Sequence, residues 1–233
     1  MKAILLAAGL GTRLRPITDN IPKCLVPING YPLLGLWIDK LIDLGVKEIL
    51  INTHYYADQV VKFVEQHQHK KHIKLVYEDI LLGTGGTLVN NAEFWQGHNC
   101  WVIHADNYCE DSLIDMLVWH KSHADFSDGT VLTFETDTPS ACGIVQLDER
   151  KRVIGFQEKP PNPTSNLASG ALFLFSANVY EQYFSSLTKN TFYDLSRDII
   201  PKMVNHLTAY HVKGNYLDIG TPDTYHKVQS LQC

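Results

Sequence analysis

The chain has 233 residues, 45% of them apolar, enough for one full hydrophobic core and too few for two comfortable ones, so a single domain over 1–233 is expected. Its 20 basic residues against 25 acidic ones leave a formal net charge of -5. That excludes a general positive field for DNA, RNA or an anionic membrane, and any anionic ligand must be held by a local site.

The five cysteines, Cys24, Cys100, Cys109, Cys142 and Cys233, are odd in number and scattered. They show neither C-x-x-C spacing nor a disulfide framework, which fits a reducing compartment. The apolar run Ala3 to Ala8 is short, follows one lysine and is broken by Gly9 and Gly11, unlike a signal peptide. No stretch approaches the ~20 apolar residues of a membrane span. A soluble cytoplasmic protein is expected.

In chain order, Lys2 to Ala8 reads as a strand buried on both faces, ending in the turn Gly9-Leu10-Gly11. Short apolar runs recur at Glu48–Asn52, Ile73–Tyr77 and Trp101–His104. Between them lie helical patterns at Leu33–Leu44, stopped by Gly45, then Gln59–Gln66 and Leu88–Phe94. Alternating strand and helix predicts a Rossmann-like α/β fold, a mostly parallel sheet flanked by helices, with ligands beyond the carboxyl ends of the strands. After a helix at Leu113–Ser122 the pattern changes to strands at Thr130–Phe134, Gly143–Leu147, Val153–Gln157 and Gly170–Phe175. Helices follow at Ala177–Phe184 and Leu195–Val204. Residues 1–122 thus read as one half, and 123–233 as added strands forming a second lobe. His67, His69 and His72 lie beside lysines in a polar run that reads as a solvated turn rather than a metal site. His120 and His123 read as a helix surface.

The strongest signal is Leu5-Leu6-Ala7-Ala8-Gly9-Leu10-Gly11-Thr12-Arg13, followed by Pro22-Lys23. A glycine turn after a buried strand lets backbone N–H groups approach phosphates closely, and Arg13 and Lys23 add fixed positive charge. A dinucleotide fingerprint needs a third glycine where Leu14 stands and an acid where the second strand ends at Asn52-Thr53. A P-loop needs Gly-Lys-Ser/Thr, and Gly-Thr-Arg stands instead. A plain strand-to-helix turn accounts for the glycines but not for Arg13 and Lys23.

Gly-x-Gly-Thr-Arg with the later Pro-Lys resembles the signature of the sugar-1-phosphate nucleotidyltransferases, and further landmarks follow in that family's order over nearly the whole chain. By this resemblance Leu6, Ala7, Ala8, Gly9, Gly11, Thr12, Arg13 and Lys23 bind the nucleotide, and Gly83-Thr84-Gly85-Gly86 is the loop that contacts base and ribose. Ala105-Asp106 carries one metal-binding aspartate, with Ala105 where the family often has glycine. Asp218, within Tyr216-Leu217-Asp218-Ile219-Gly220-Thr221-Pro222, carries the other. Glu158-Lys159 grips the sugar phosphate, together with Asp106, Gly143, Ser169 and Gly170. Arg13, Lys23 and Asp106 are the implied catalytic residues.

The implied reaction is in-line attack of a sugar-phosphate oxygen on the α-phosphorus of a nucleoside triphosphate, with Mg2+ and release of pyrophosphate. Magnesium suits hard phosphate oxygens and needs only one or two protein carboxylates. The chain ends soon after its last landmark, without the repetitive extension that forms a left-handed β-helix in some relatives. The Gly-Thr-Gly-Gly segment resembles relatives using GTP with a mannose- or heptose-type 1-phosphate. Uridylyl and cytidylyl relatives, including those acting on phosphocholine, share the frame. A non-catalytic nucleotide-sugar-binding regulatory subunit is the alternative from another class. The partners expected are the two small substrates, no nucleic acid, no membrane, and at most a second copy of the chain as a homodimer.

Overall fold

The computed structural model describes residues 1–231, so Cys233 lies outside the described residues. The chain opens with strand β1 (Lys2–Leu6), four of whose five residues are buried. Strands β2 (Pro27–Ile28) and β3 (Tyr31–Pro32) form a hairpin around Asn29 and Gly30, both at positive φ, as a tight two-residue turn demands. Helix α1 (Leu33–Asp43) buries Leu34, Trp37, Ile38 and Leu41, one face of a 3.6-residue period. It stops at Gly45, whose φ is 86°. Strand β4 (Ile49–Thr53), helix α2 (Ala57–Gln66) and strand β5 (Ile73–Tyr77) continue the alternation.

Next come helices α3 (Gly83–Asn90) and α4 (Ala92–Trp95), strands β6 (Cys100–His104) and β7 (Asn107–Cys109), and helix α5 (Leu113–Ser122). The second half supplies β8 (Gly129–Glu135), β9 (Gly143–Leu147), β10 (Val153–Glu158), β11 (Leu167–Phe175), β12 (Leu207–His211), β13 (Tyr216–Asp218) and helix α6 (Pro222–Gln229). The α/β fold expected from the alternation is present.

Several elements differ from the sequence reading. The helix expected over 88–94 is two short helices, and the first begins at Gly83. The helix expected over 177–184 is a wide π-type turn at Tyr180–Phe184. The one expected over 195–204 splits into a π turn at Leu195–Ile199 and a 3-10 turn at Ile200–Met203, because Pro201 has no N–H to continue an α-helical ladder. Strand β12 follows where no strand was expected.

The described chain divides into two compact units whose segments alternate along the sequence. One comprises Lys2–Leu81, Ile103–Leu113 and residues from Gly214 onward; the other comprises Met1, Leu82–Val102 and Ile114–Lys213. In the first unit β1, β4 and β5 are parallel neighbours, with Ala3 opposite Ile49 and Ile49 opposite Ile73. A separate antiparallel pair joins β13 to β7. The Trp37 indole N–H donates to the Asn107 carbonyl at 2.8 Å, which ties α1 to β7.

In the second unit β11 lies antiparallel to β8 and touches β9, β9 is antiparallel to β10, and β12 runs parallel to β8. Trp95 centres an aromatic core here, its ring 5.1 Å from Phe184 and 5.3 Å from Tyr180, both edge-on, the arrangement that ring quadrupoles favour.

Two histidine readings are corrected. His67 is buried rather than solvated, at 3.7 Å from Asp39 Oδ1 and 3.3 Å from the Tyr31 hydroxyl. His120 is only 3% exposed, and its Nδ1 lies 3.0 Å from Thr130 Oγ1. Burial lowers the His120 pKa from its ordinary 6.5 to about 4. The unfolded imidazole therefore takes up a proton before the folded one. Stability from this residue is full above pH 6.5 and is lost as pH falls from 6.5 towards 4, by up to about 3 kcal/mol. Urea melts at several pH values should show this slope, and His120→Gln should flatten it; an equal slope in both proteins rejects the assignment.

Candidate active site

The first unit builds a cluster at the carboxyl end of β1. After Leu6, Ala7 and Ala8, all buried, the chain turns at Gly9, Leu10 and Gly11. Gly11 sits at φ 65°, and a methyl group there would stand 3.2 Å from both Thr18 and Lys23. Fully buried Thr18 donates its hydroxyl to the Gly11 carbonyl at 2.7 Å and locks the turn. Thr18 was missed in the sequence, where it reads as an ordinary polar loop residue. A methyl on Gly9 would meet nothing within 4 Å. Gly9, Gly11, Arg13, Lys23, Asp106 and Gly220 line a cavity of about 280 Å³. Thr12 and Arg13 are exposed beside it.

Lys23 bridges the two aspartates. Its Nζ donates to Asp106 Oδ2 at 2.6 Å and to Asp218 Oδ1 at 3.3 Å, and its side chain is only 8% exposed. Asp106 follows β6, and Asp218 ends β13. The β7–β13 pairing sets Asp218 opposite Asn107, so two carboxylates remote in sequence converge through one antiparallel register. Arg13 Nη2 stands 3.8 Å from Asp218 Oδ2. Asp218 does not cap the last helix; Thr221 does, accepting from the Thr224 N–H in a capping box ahead of Pro222. Gly220 keeps the space open, since a methyl there would lie 3.1 Å from Asp218 Oδ2.

The electrostatics follow from this convergence. Burial pushes the Lys23 pKa down, but Asp106 and Asp218 together outweigh it and hold the ammonium above its ordinary value. Burial pushes the Asp106 carboxyl up, yet Lys23 and His104 carry it below the usual carboxylate range. Both groups are therefore charged at neutral pH. Neighbouring Cys24 is fully buried and its thiol is pushed up to about 12 by that burial, so it offers no thiolate nucleophile. Two hard carboxylates aimed at one cation are the donor set magnesium takes, with phosphate and water completing its shell.

The second unit holds the remaining candidates. Gly83-Thr84-Gly85-Gly86 is not a loop but the first turn of α3. The Gly85 and Gly86 N–H groups donate to the Tyr193 carbonyl at 2.8 and 3.1 Å, and Thr84 Oγ1 accepts from the Leu195 N–H at 2.8 Å. Methyl groups at Gly83 and Gly86 would stand 2.5 Å from the Tyr193 carbonyl oxygen and 2.6 Å from that of Thr191. Close approach of the 191–195 segment thus accounts for these glycines.

On β9 and β10, Gly143 pairs with Glu158. A methyl at Gly143 would meet Phe156 at 2.7 Å and Glu158 Oε2 at 2.9 Å, so the protein's own side chains fill the space left by this glycine. Lys159, at φ 46°, extends into solvent with its Nζ 3.4 Å from Glu158 Oε1. Ser169 and Gly170 lie where the β11–β8 register breaks, and Ser169 Oγ accepts from the Ala171 N–H at 3.3 Å.

A model of the nucleotidyl transferase family matches residues 2–232. Among curated proteins, a mannose-1-phosphate guanyltransferase beta-B of Xenopus laevis is 30% identical over 97% of this chain, and a mannose-1-phosphate guanylyltransferase catalytic subunit beta of Dictyostelium discoideum is 28% identical over 97%. This chain spans 62% of the length of each. The crystal structure of HddC from Yersinia pseudotuberculosis complexed with GMP-PN matches with a TM-score of 0.78 and 28% identity, covering 98% of this chain and 97% of that one.

Proposed function

The chain belongs to the nucleotidyl transferase family, and on that premise we propose that it transfers a nucleotidyl group from a nucleoside triphosphate to a sugar 1-phosphate and releases pyrophosphate. The preferred pair in this reading is GTP with a mannose- or heptose-type 1-phosphate. The observation that carries it is the convergence of Asp106 and Asp218 on a single cation, Lys23 Nζ, beside the cavity-lining Gly9–Arg13 turn. The guanosine preference is supported by the names of the relatives, which are mannose-1-phosphate guanylyltransferases, and by the guanosine-type nucleotide in the HddC crystal.

Two anions must meet in this reaction, so charge neutralisation and alignment dominate its barrier. Arg13 and Lys23 stabilise the triphosphate and the charge that grows as pyrophosphate leaves. Lys159 holds the incoming phosphate, and Glu158 accepts hydrogen bonds from sugar hydroxyls. Asp106 and Asp218 would hold magnesium, which when bound withdraws charge from phosphate oxygens. No helix of the described residues is long and apolar enough to cross a membrane.

The test is pyrophosphate release from GTP, UTP, CTP and dTTP, each offered with mannose 1-phosphate, a heptose 1-phosphate, glucose 1-phosphate and phosphocholine. Release should be fastest with GTP and the mannose or heptose phosphate, should stop in excess chelator and should return with excess magnesium. Silence across every pair would leave the regulatory, nucleotide-sugar-binding reading. Undiminished release in chelator would remove the metal.

A further inference from the structure

We propose that Asn52, oriented by Glu78, is a positioning residue that fixes the phosphate-binding turn against the metal-binding carboxylate; the inference rests on the nucleotidyl-transfer reading. The β1–β4 register ends with Leu6 opposite Asn52. At the next residue the ladder is replaced by a side chain: the Ala7 N–H donates to Asn52 Oδ1 at 2.8 Å, in the protein interior. On the other side of the same peptide unit, the Leu6 carbonyl accepts from the Ala105 N–H at 3.0 Å. The Leu6–Ala7 peptide is thus held between Asn52 and Ala105. It leads directly into Ala8 and Gly9, and Ala105 leads directly into Asp106. Turn and carboxylate are placed by one shared anchor.

Glu78 determines which way the Asn52 amide faces. Asn52 Nδ2 donates to Glu78 Oε1 at 3.0 Å, and the two residues are 3% and 5% exposed. Glu78 is itself fixed through its backbone, its N–H donating to the Thr53 carbonyl at 2.9 Å. The Ala7 N–H can only donate, so just one orientation of the amide satisfies both neighbours, with Oδ1 towards Ala7 and Nδ2 towards Glu78 Oε1. The buried carboxylate therefore keeps Oδ1 aimed at Ala7. In dinucleotide-binding folds the end of this second strand carries an acid that reaches outward to a ribose. Here the same place in the topology carries an amide turned inward to the turn that holds the phosphates.

Loss of the anchor acts on nucleotide affinity. An Ala7 N–H without its acceptor releases the first residue of the turn, and the backbone donors that follow lose their preorganisation. The expected effect is a rise on the order of tenfold in the nucleotide Kd and KM, with little change in KM for the sugar phosphate. A purely structural role would lower the melting temperature and the active fraction without separating the two substrates.

Binding of GTP, UTP, CTP and dTTP with magnesium is measured by calorimetry, and KM for nucleotide and for mannose 1-phosphate by pyrophosphate release. The proteins compared are wild type, Asn52→Leu, Asn52→Ser, Glu78→Leu and Glu78→Gln. Serine is too short to reach Ala7 and is the milder variant where leucine prevents folding. Asn52→Leu, Asn52→Ser and Glu78→Leu should each raise nucleotide Kd and KM selectively. Glu78→Gln, which keeps an acceptor for Nδ2, should stay within about twofold of wild type. Unchanged nucleotide Kd in folded Asn52 variants, or equal rises in both KM values, overturns the inference alone. A wild-type chain that binds none of the four nucleotides overturns the nucleotidyl-transfer reading and this inference with it.

Discussion

Asp106→Asn is expected to lower kcat on the order of a thousandfold, about 4 kcal/mol of transition-state stabilisation, and to lower the melting temperature as well. Asparagine keeps the shape of the side chain and removes its charge. The Lys23 ammonium, 2.6 Å from Asp106 Oδ2 and almost excluded from water, is then left with Asp218, which lies further away at 3.3 Å and is about half exposed. Weakening a charge-assisted hydrogen bond of this kind costs about 1–3 kcal/mol of stability. If the two aspartates hold magnesium as proposed, the same change leaves one protein carboxylate for it, and the metal concentration needed for half-maximal activity should rise. Steady-state pyrophosphate release across a magnesium titration, with calorimetric melting, measures both effects. Wild-type kcat at saturating magnesium would place Asp106 outside the metal site.

Arg13→Ala should separate catalysis from stability more cleanly. Arg13 is 69% exposed in its side chain and stands 3.8 Å from Asp218, a loose surface pair whose loss costs at most about 1 kcal/mol. Its guanidinium nevertheless borders the cavity shared by Gly9, Gly11 and Lys23. In the proposed reaction its charge would matter most as pyrophosphate departs, and an interaction made mainly in the transition state lowers kcat when removed. Loss of one such contact corresponds to about 3–4 kcal/mol, a hundred- to a thousandfold in rate. The measurement is kcat beside a thermal melt. A fallen melting temperature with unchanged kcat would make Arg13 a structural residue.

The parts of the site legible in the sequence are those written in contiguous residues. A buried strand running into Gly-Leu-Gly, then Arg13 and Lys23, announces a charged turn because strand, glycines and charges fall within one short stretch, and these residues do line one cavity. The convergence of Asp106 with Asp218 needed a register between β7 and β13, each only three residues long, and such brief strands leave no periodic signal. Gly83 to Gly86 read as a loop because glycine is a poor helix former, yet the Tyr193 carbonyl organises that turn from far along the chain.

His120 is hidden for a different reason. Leu113, Met116 and His120 are spaced by three and four, the period of one helix face, and all three are buried, so its burial was readable and was overridden by its polarity. In the sequence Asn52 stands out only as an amide where a dinucleotide-binding fold carries an acid. Its partner Glu78 closes the argument from the end of the next strand, across a parallel pairing that residue patterns alone do not register.

The unit that holds Lys23, Asp106 and Asp218 is drawn from three separated stretches of chain, and this imposes an order on its assembly during translation. Lys23 and Asp218 are 195 positions apart. At roughly 5–20 residues per second, the second carboxylate leaves the peptidyl-transferase centre roughly 10–40 s after the lysine it will meet. Lys23 and Asp106 are available to pair throughout most of that interval, and the phosphate turn can close on Thr18 earlier still. Strand β13 therefore adds Asp218 to a lysine made long before it, and the pair of carboxylates can form only after the 195 positions between Lys23 and Asp218 have been added.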